Sequence, residues 1–284
     1  MNRLPLTVIG GYLGAGKTTL INRLLAEDHG QRVLVMVNDF GAINIDAALI
    51  ARQSEGMVEL SNGCVCCTMG GDLFMAIGDV LDRNPRPDHL VIEASGVADP
   101  AAIAQVALAE PDLSYGGVAV VVDALAYDNL MHDPQIGAQL RAQVDVADAL
   151  LVTKGNVPDS LGPRDVPVIE LSAIEAVAPL LLGAPLGEGP RTVGQVHPDY
   201  VAWQYRGGVQ LDRTALIKKL DARPKGLMRV KGFVMAPDGR SFEVHCVGGQ
   251  HSLKPAQGVT ETLLVAIGLK GRVVRAEIAA WWNA

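Results

Sequence analysis

Short β-branched runs alternate with longer stretches rich in Ala and Leu through the first two thirds of the chain. LTVIG (6–10), VLVMVN (33–38), HLVIE (89–93), VAVVVD (118–123), ALLVT (149–153) and VPVIEL (166–171) predict strands, with MVEL (57–60) a weaker one. Each run is apolar almost throughout, the pattern of strands covered on both faces. The intervening stretches, such as TTLINRLLAED (18–28) and DPAAIAQVALA (99–109), predict helices; Asp99-Pro100 supplies an N-cap and a first-turn proline to the second. Strand and helix in alternation predict an α/β fold with a doubly wound, mostly parallel sheet.

From about Ala184 to Asp199 the chain turns to Gly, Pro and polar residues, the composition of a linker. We expect a nucleotide-binding domain over 1–187, a linker over 188–202 and a smaller α+β domain over 203–284. The last is predicted as a strand AWQYRGGV, a helix DRTALIKKL, the strands LMRVKGFVM, SFEVHCVGG and TETLLVAIG, and a closing helix VVRAEIAAWW.

Composition narrows the function classes. The net charge is −7 and no Lys/Arg run could neutralise several polymer phosphates, so nucleic acid is not an expected partner. MNRLPLTVIG is faintly like a signal peptide, but Gly16-Lys17-Thr18 follows at once and a buried first strand is the better reading. No apolar run reaches the ~18 residues a membrane span needs, so no membrane partner is expected. The expected location is the cytoplasm, where thiols stay reduced.

Gly11-Tyr12-Leu13-Gly14-Ala15-Gly16-Lys17-Thr18-Thr19 is a phosphate-binding loop between strand and helix. Its backbone N–H groups and the helix N-terminus point at phosphates, Lys17 reaches the outer ones, and Thr18 ligates Mg²⁺. Glu93-Ala94-Ser95-Gly96 ends another predicted strand, where an α/β fold brings its strand ends to the phosphates. Glu93 can hold Mg²⁺ through water or position the attacking water, and the Gly96 N–H can approach a γ-phosphate; alone, the segment would read equally as an ordinary turn.

Cys64, Cys66 and Cys67 crowd into four positions. Three thiolates suit a borderline or soft metal such as Zn²⁺ and leave one tetrahedral position open, better suited to delivery than to a closed structural site. Two other readings stand beside this one: Cys64 and Cys67 have C-x-x-C redox spacing, and free thiols are often inert packing.

GGYLGAGKTT, VNDFGAINID, ELSNGCVCCT, VIEASGVADP and VVDA occur in the order and at the spacing of the CobW-like metallochaperone GTPases, which residues 5–175 closely resemble. The resemblance implies GTP or another nucleoside triphosphate with Mg²⁺, served by Lys17, Thr18 and Glu93. It also implies a switch loop from Asn38 to Gly41, with Asp39 as a further catalytic carboxylate, and a cargo of Zn²⁺ or Co²⁺ on Cys64, Cys66 and Cys67. The expected activity is slow triphosphate hydrolysis coupled to metal delivery to an unidentified recipient metalloprotein. A homodimer across the nucleotide, often seen in related P-loop proteins, is one possible assembly.

Two departures change that picture. The family commonly reads Asn-Glu-Phe-Gly-Glu in the switch loop, and here Asn38-Asp39-Phe40-Gly41-Ala42 shortens one carboxylate and removes another. At the base, Thr153-Lys154-Gly155-Asn156 stands where guanine-specific GTPases carry Asn-Lys-x-Asp. An Asn156 amide offers one acceptor where an Asp offers two, so guanine affinity should fall. Lys154 can still lie along the base plane, and Ser172-Ala173 match the segment whose backbone meets the guanine oxygen. The six histidines are scattered, which excludes the His-rich metal store of many relatives. His245 and Cys246 should point to opposite sheet faces, and Trp281-Trp282 reads as packing or a partner patch. Two competing functions remain open: a small-molecule kinase, and a nucleotide-gated metal sensor with negligible hydrolysis.

Overall fold

The computed structural model describes residues 3–37, 57–59, 71–191, 200–247 and 250–284. They fall into two compact units, one ending before and one beginning after residues 192–199.

The first unit is a seven-stranded sheet in the order β3-β2-β4-β1-β5-β6-β7, parallel at every pairing. Its strands are β1 (Leu4–Gly10), β2 (Val33–Val37), β3 (Met57–Glu59), β4 (His89–Glu93), β5 (Leu113–Asp123), β6 (Ala149–Thr153) and β7 (Val168–Glu170). β2 and β4 are buried at every position, as their unbroken apolar runs require. One core joins Ile9, Val35, Val91, Val121 and Leu151 to Leu20, Ile21 and Leu24 of α1 (Lys17–Ala26) and to Leu181 of α6 (Ala178–Leu182). Val8, Met36, Ile92 and Val120 are buried on the other face, where α3 (Pro100–Ala107) packs on β1 and β5. The Asp99 cap forms as expected, its Oδ1 accepting from the Ala101 and Ala102 amides at 2.9 and 3.3 Å. The remaining helices are α2 (Gly71–Leu81), α4 (Tyr127–Met131) and α5 (Gly137–Asp145).

The second unit is an antiparallel sheet, β11-β10-β9-β12-β8, made of β8 (Tyr200–Gly207), β9 (Leu227–Met235), β10 (Ser241–Val247), β11 (Gln250–Ala256) and β12 (Thr262–Leu269). Leu216 and Leu220 of α7 (Arg213–Asp221), with Ile278 and Trp282 of α8 (Arg275–Asn283), cover one face. Strand β11 is absent from the sequence reading. It is an edge strand paired only to β10, carries Lys254 and Pro255, and lacks the apolar run of the others. Cys246 lies in this core, its thiol pKa raised by burial, and Trp282 is buried in the same core. Among the described residues no cluster of three metal-ligating side chains forms, and no helix is long and apolar enough to cross a membrane.

His89, at the start of β4, is 2% exposed. The Thr7 hydroxyl donates to Leu181 O at 3.0 Å, so its oxygen accepts from His89 Nε2–H at 2.9 Å, which fixes the neutral tautomer. Burial pushes the ring pKa down to about 4. The unfolded chain therefore binds the extra proton first as pH falls. The contribution of the neutral ring is complete above the unfolded pKa and drains away from about pH 6.5 to about pH 4. Wild type should lose up to ~3 kcal/mol in that window relative to His89→Gln, which keeps a donor for Thr7 without titrating; parallel denaturation curves across the pH range check it.

Candidate functional site

β1, β4, β5 and β6 end together at the carboxyl edge of the sheet, with Ile9 level with Glu93 and Asp123 level with Thr153. The loop between β1 and α1 occupies this edge. It turns through Gly11, Gly14 and Gly16 at φ of 131°, 76° and 108°, values that L side chains rarely adopt. At Gly11 a Cβ would also lie 2.4 Å from Val121 O.

The loop's carbonyls are held by side chains around it. Lys17 Nζ, on a residue 6% exposed, donates to Gly11 O at 2.9 Å and Tyr12 O at 3.2 Å. Thr153 Oγ1 lies 2.7 Å from Ala15 O and 3.2 Å from Val122 O. Lys154, in the left-handed region at φ 61°, donates to Gly14 O at 2.8 Å and pairs with Asp123. With these carbonyls engaged by side chains, and the Ala15 amide donating to Tyr12 O at 3.2 Å, the loop has the glycine-rich, helix-leading form that suits a polyphosphate.

Thr18 Oγ1 donates to Glu93 Oε1 at 3.2 Å, so the two residues proposed to serve Mg²⁺ meet. A hydroxyl and a carboxylate are the hard oxygen donors this ion takes, and the pair fits it. Gly96 packs behind the loop, where a Cβ would stand 2.8 Å from Leu13 N. Gly14 is half-buried and Thr19 exposed at the start of α1.

Asn156, Ser172 and Ala173, the residues expected at the base, are exposed. Glu170 Oε1 accepts from the Val157 amide at 2.9 Å and Glu170 O from the Ala173 amide at 3.0 Å, tying the two loops. Arg23 of α1 donates to Leu171 O at 2.8 Å and to Ile174 O, bracketing Ser172 and Ala173. Sequence reading passed over Arg23, Asp123 and the hydroxyl role of Thr153. Asp123 had a signal, a carboxylate ending an apolar strand; Arg23 had none, because its partners are carbonyls about 150 residues away. Asp39, the switch segment Asn38–Gly41 and Cys64, Cys66 and Cys67 lie outside the described residues. An open groove of about 910 Å³, lined by Arg3, Tyr115 and Leu186, lies where β1 and β5 begin, at the other edge of the sheet.

Residues 5–169 match the CobW/HypB/UreG nucleotide-binding domain. The chain belongs to that family. Residues 200–283 match the cobalamin synthesis protein CobW C-terminal domain. This CobW-family chain is 30% identical to the zinc chaperone CobW of Sinorhizobium sp, in an alignment covering 98% of the chain and 97% of that protein. It is 38% identical to the zinc chaperone YjiA of Escherichia coli (strain K12) across 55% of the chain and 51% of that protein. Against the solved Zn(II)-bound YjiA GTPase it has 24% identity and a TM-score of 0.46, covering 100% of this chain and 99% of the other.

Thr153→Val keeps the side chain's shape and removes the hydroxyl that meets Ala15 O. We expect ~1 to 2 kcal/mol of lost stability, with the phosphate loop the first segment to gain amide exchange. Urea denaturation and hydrogen exchange on the variant measure both.

Proposed function

We propose that this CobW-family protein is a GTP-dependent zinc metallochaperone: it binds the cargo ion through Cys64, Cys66 and Cys67 and couples its release to triphosphate hydrolysis. The observation that carries the coupling is the exit point of β3. Val37 of β2 is level with Glu59 on one side and Glu93 on the other. Glu59 therefore leaves the sheet at the phosphate-side edge, about 10 Å from Glu93 by the spacing of two strand pairings. Cys64 follows five residues later, a reach of at most ~17 Å. A tether this short supports the reading that a thiolate cluster on it responds to a rearrangement at the phosphates. Zinc as cargo is supported by the two zinc chaperones that this chain resembles along their length or half of it.

In this reading the amides of Gly14 to Thr19 and the Lys17 ammonium hold the phosphates. Thr18 and Glu93 hold Mg²⁺, which when bound neutralises charge shared by the β- and γ-phosphates. Glu93 or Asp39 orients a water for attack on the γ-phosphorus; the bond to the bridging oxygen breaks and inorganic phosphate leaves. Lys154, Asn156, Ser172 and Ala173 line the base, and Gly96 faces the γ-phosphate. Loss of that phosphate loosens segments it had ordered and changes the thiolate geometry. Metal binding displaces thiol protons, so zinc affinity weakens as pH falls. The division at 187/188 and 202/203 belongs to the same proposal, as do a recipient metalloprotein and a cytoplasmic location.

The test is the triple variant Cys64→Ser, Cys66→Ser, Cys67→Ser. Zinc binding at one equivalent should vanish, nucleotide affinity should stay within about twofold, and the effect of zinc on phosphate release should disappear. Zinc that leaves nucleotide affinity and hydrolysis of the wild type unchanged would refute coupling. At the base, Asn156→Asp restores a second acceptor and should raise preference for guanine over adenine by ~10- to 100-fold. Competition titrations of GTP against ATP on both proteins measure it.

A further inference from the structure

Two side chains of α1 that the reading above leaves unused hold the loop after β7. Arg23 and Glu27 lie one turn apart, their side chains 34% and 19% exposed, with Arg23 Nε 3.9 Å from Glu27 Oε1. Arg23 Nη1 donates to Leu171 O at 2.8 Å, and Nη2 donates to Ile174 O. Glu27 Oε1 accepts from the Val177 amide at 2.8 Å, and Oε2 accepts from the Val177 and Ala178 amides at 3.0 and 2.8 Å. One helix thus grips the loop at both ends.

Within the loop the amides divide into spent and unspent. The Leu171 amide donates to Val152 O at 2.9 Å and the Ala173 amide to Glu170 O at 3.0 Å, closing a turn. The Ser172 amide, between them, makes no hydrogen bond among the described residues, and Ser172 is exposed. This amide shares its peptide unit with the Leu171 carbonyl. In a trans peptide the C=O and N–H point in opposite directions, so Arg23, by drawing that carbonyl toward α1, turns the Ser172 N–H away from the helix. The loop leaves β7 at the sheet edge where β6 leads into Thr153 to Asn156, and the Glu170–Val157 bond ties the two loops. The other end of α1 is Lys17 and Thr18 of the phosphate loop.

We propose that Arg23 is a positioning residue for base recognition, braced by Glu27: it holds the Leu171 carbonyl back and presents the Ser172 amide as the donor to guanine's carbonyl oxygen. The proposal rests on the nucleotide reading above. Within the Ser172-Ala173 segment it assigns that contact to Ser172, because the Ala173 amide is spent in the turn. Adenine carries an amino group where guanine carries the oxygen, so it would set donor against donor. Arg23 and the phosphate-loop residues stand on one helix, which fixes the spacing between base contact and phosphates.

The experiment uses the full chain with Mg²⁺ and calorimetric affinities for GDP, for thioguanosine diphosphate, in which sulfur replaces the carbonyl oxygen alone, and for inorganic tripolyphosphate. Wild type should prefer GDP to the thio compound by about tenfold, the worth of one hydrogen bond. Arg23→Met, which removes the guanidinium donors, should bring that ratio to within about twofold of unity while tripolyphosphate affinity stays within about twofold of wild type. An arginine that only stabilises the fold would weaken both nucleotides together; an unchanged ratio in Arg23→Met therefore overturns the proposal, as does a wild type that binds the two compounds equally. Should Arg23→Met fail to fold, Glu27→Gln decides, since it gives up one of the two carboxylate acceptors and should lower the same ratio. Wild type that binds none of the three ligands sinks the nucleotide reading itself, a result distinct from a ratio that does not move.

Discussion

A loop that must offer its amides to an anion has to satisfy its carbonyls elsewhere, and this constraint organises the first unit. One of those carbonyls, Tyr12 O, also takes the Ala15 amide in a local turn at 3.2 Å, and the others are met by side chains. Here Lys17 takes Gly11 and Tyr12, Lys154 takes Gly14, and Thr153 meets Ala15. Lys17 belongs to the segment itself; Thr153 and Lys154 come from the end of β6, two strands from β1 in the sheet. The parallel sheet is what delivers those side chains to one edge, which is why its strand order matters to the site.

The same device recurs one strand away. The turn after β4 has its carbonyls bound by Gln139 and Gln143, as the phosphate loop has its own bound by Lys17, Thr153 and Lys154. Both segments flank the Thr18–Glu93 contact. Buried side-chain amides are costly unless paired, so two buried glutamines need carbonyls to meet. The carbonyls take up the N–H groups of both glutamines, which ties the turn to α5.

What the sequence made legible follows from range. The seven strands of the first unit, the phosphate loop, the Asp99 cap and the place of Glu93 are carried by contiguous residues whose spacing states the geometry. β11 escaped because an edge strand with Lys254 and Pro255 carries no apolar run. Arg23, Gln139 and Gln143 escaped for a different reason: each binds main-chain carbonyls, which every residue possesses, so nothing in the partner's identity marks the contact. The one available hint was two glutamines four apart in a helix that otherwise buries Leu140 and Val144. His89 was likewise visible only as a scattered histidine; its tautomer depends on Thr7, on the neighbouring strand β1.

The departure at Asn156 becomes intelligible on these terms. Of the four residues from Thr153 to Asn156, the first two hold carbonyls of the phosphate loop, and Lys154 does so from a left-handed backbone braced by Asp123. A change at either would remove a contact that holds the loop between β1 and α1. Asn156 is exposed, and Glu170 holds the adjoining Val157 amide by a carboxylate that does not depend on the side chain at 156. Substitution there removes none of the hydrogen bonds made by Thr153, Lys154 and Glu170. Under the proposed function, phosphate affinity and base preference rest on different atoms of one tetrapeptide, so the two should respond separately to substitution.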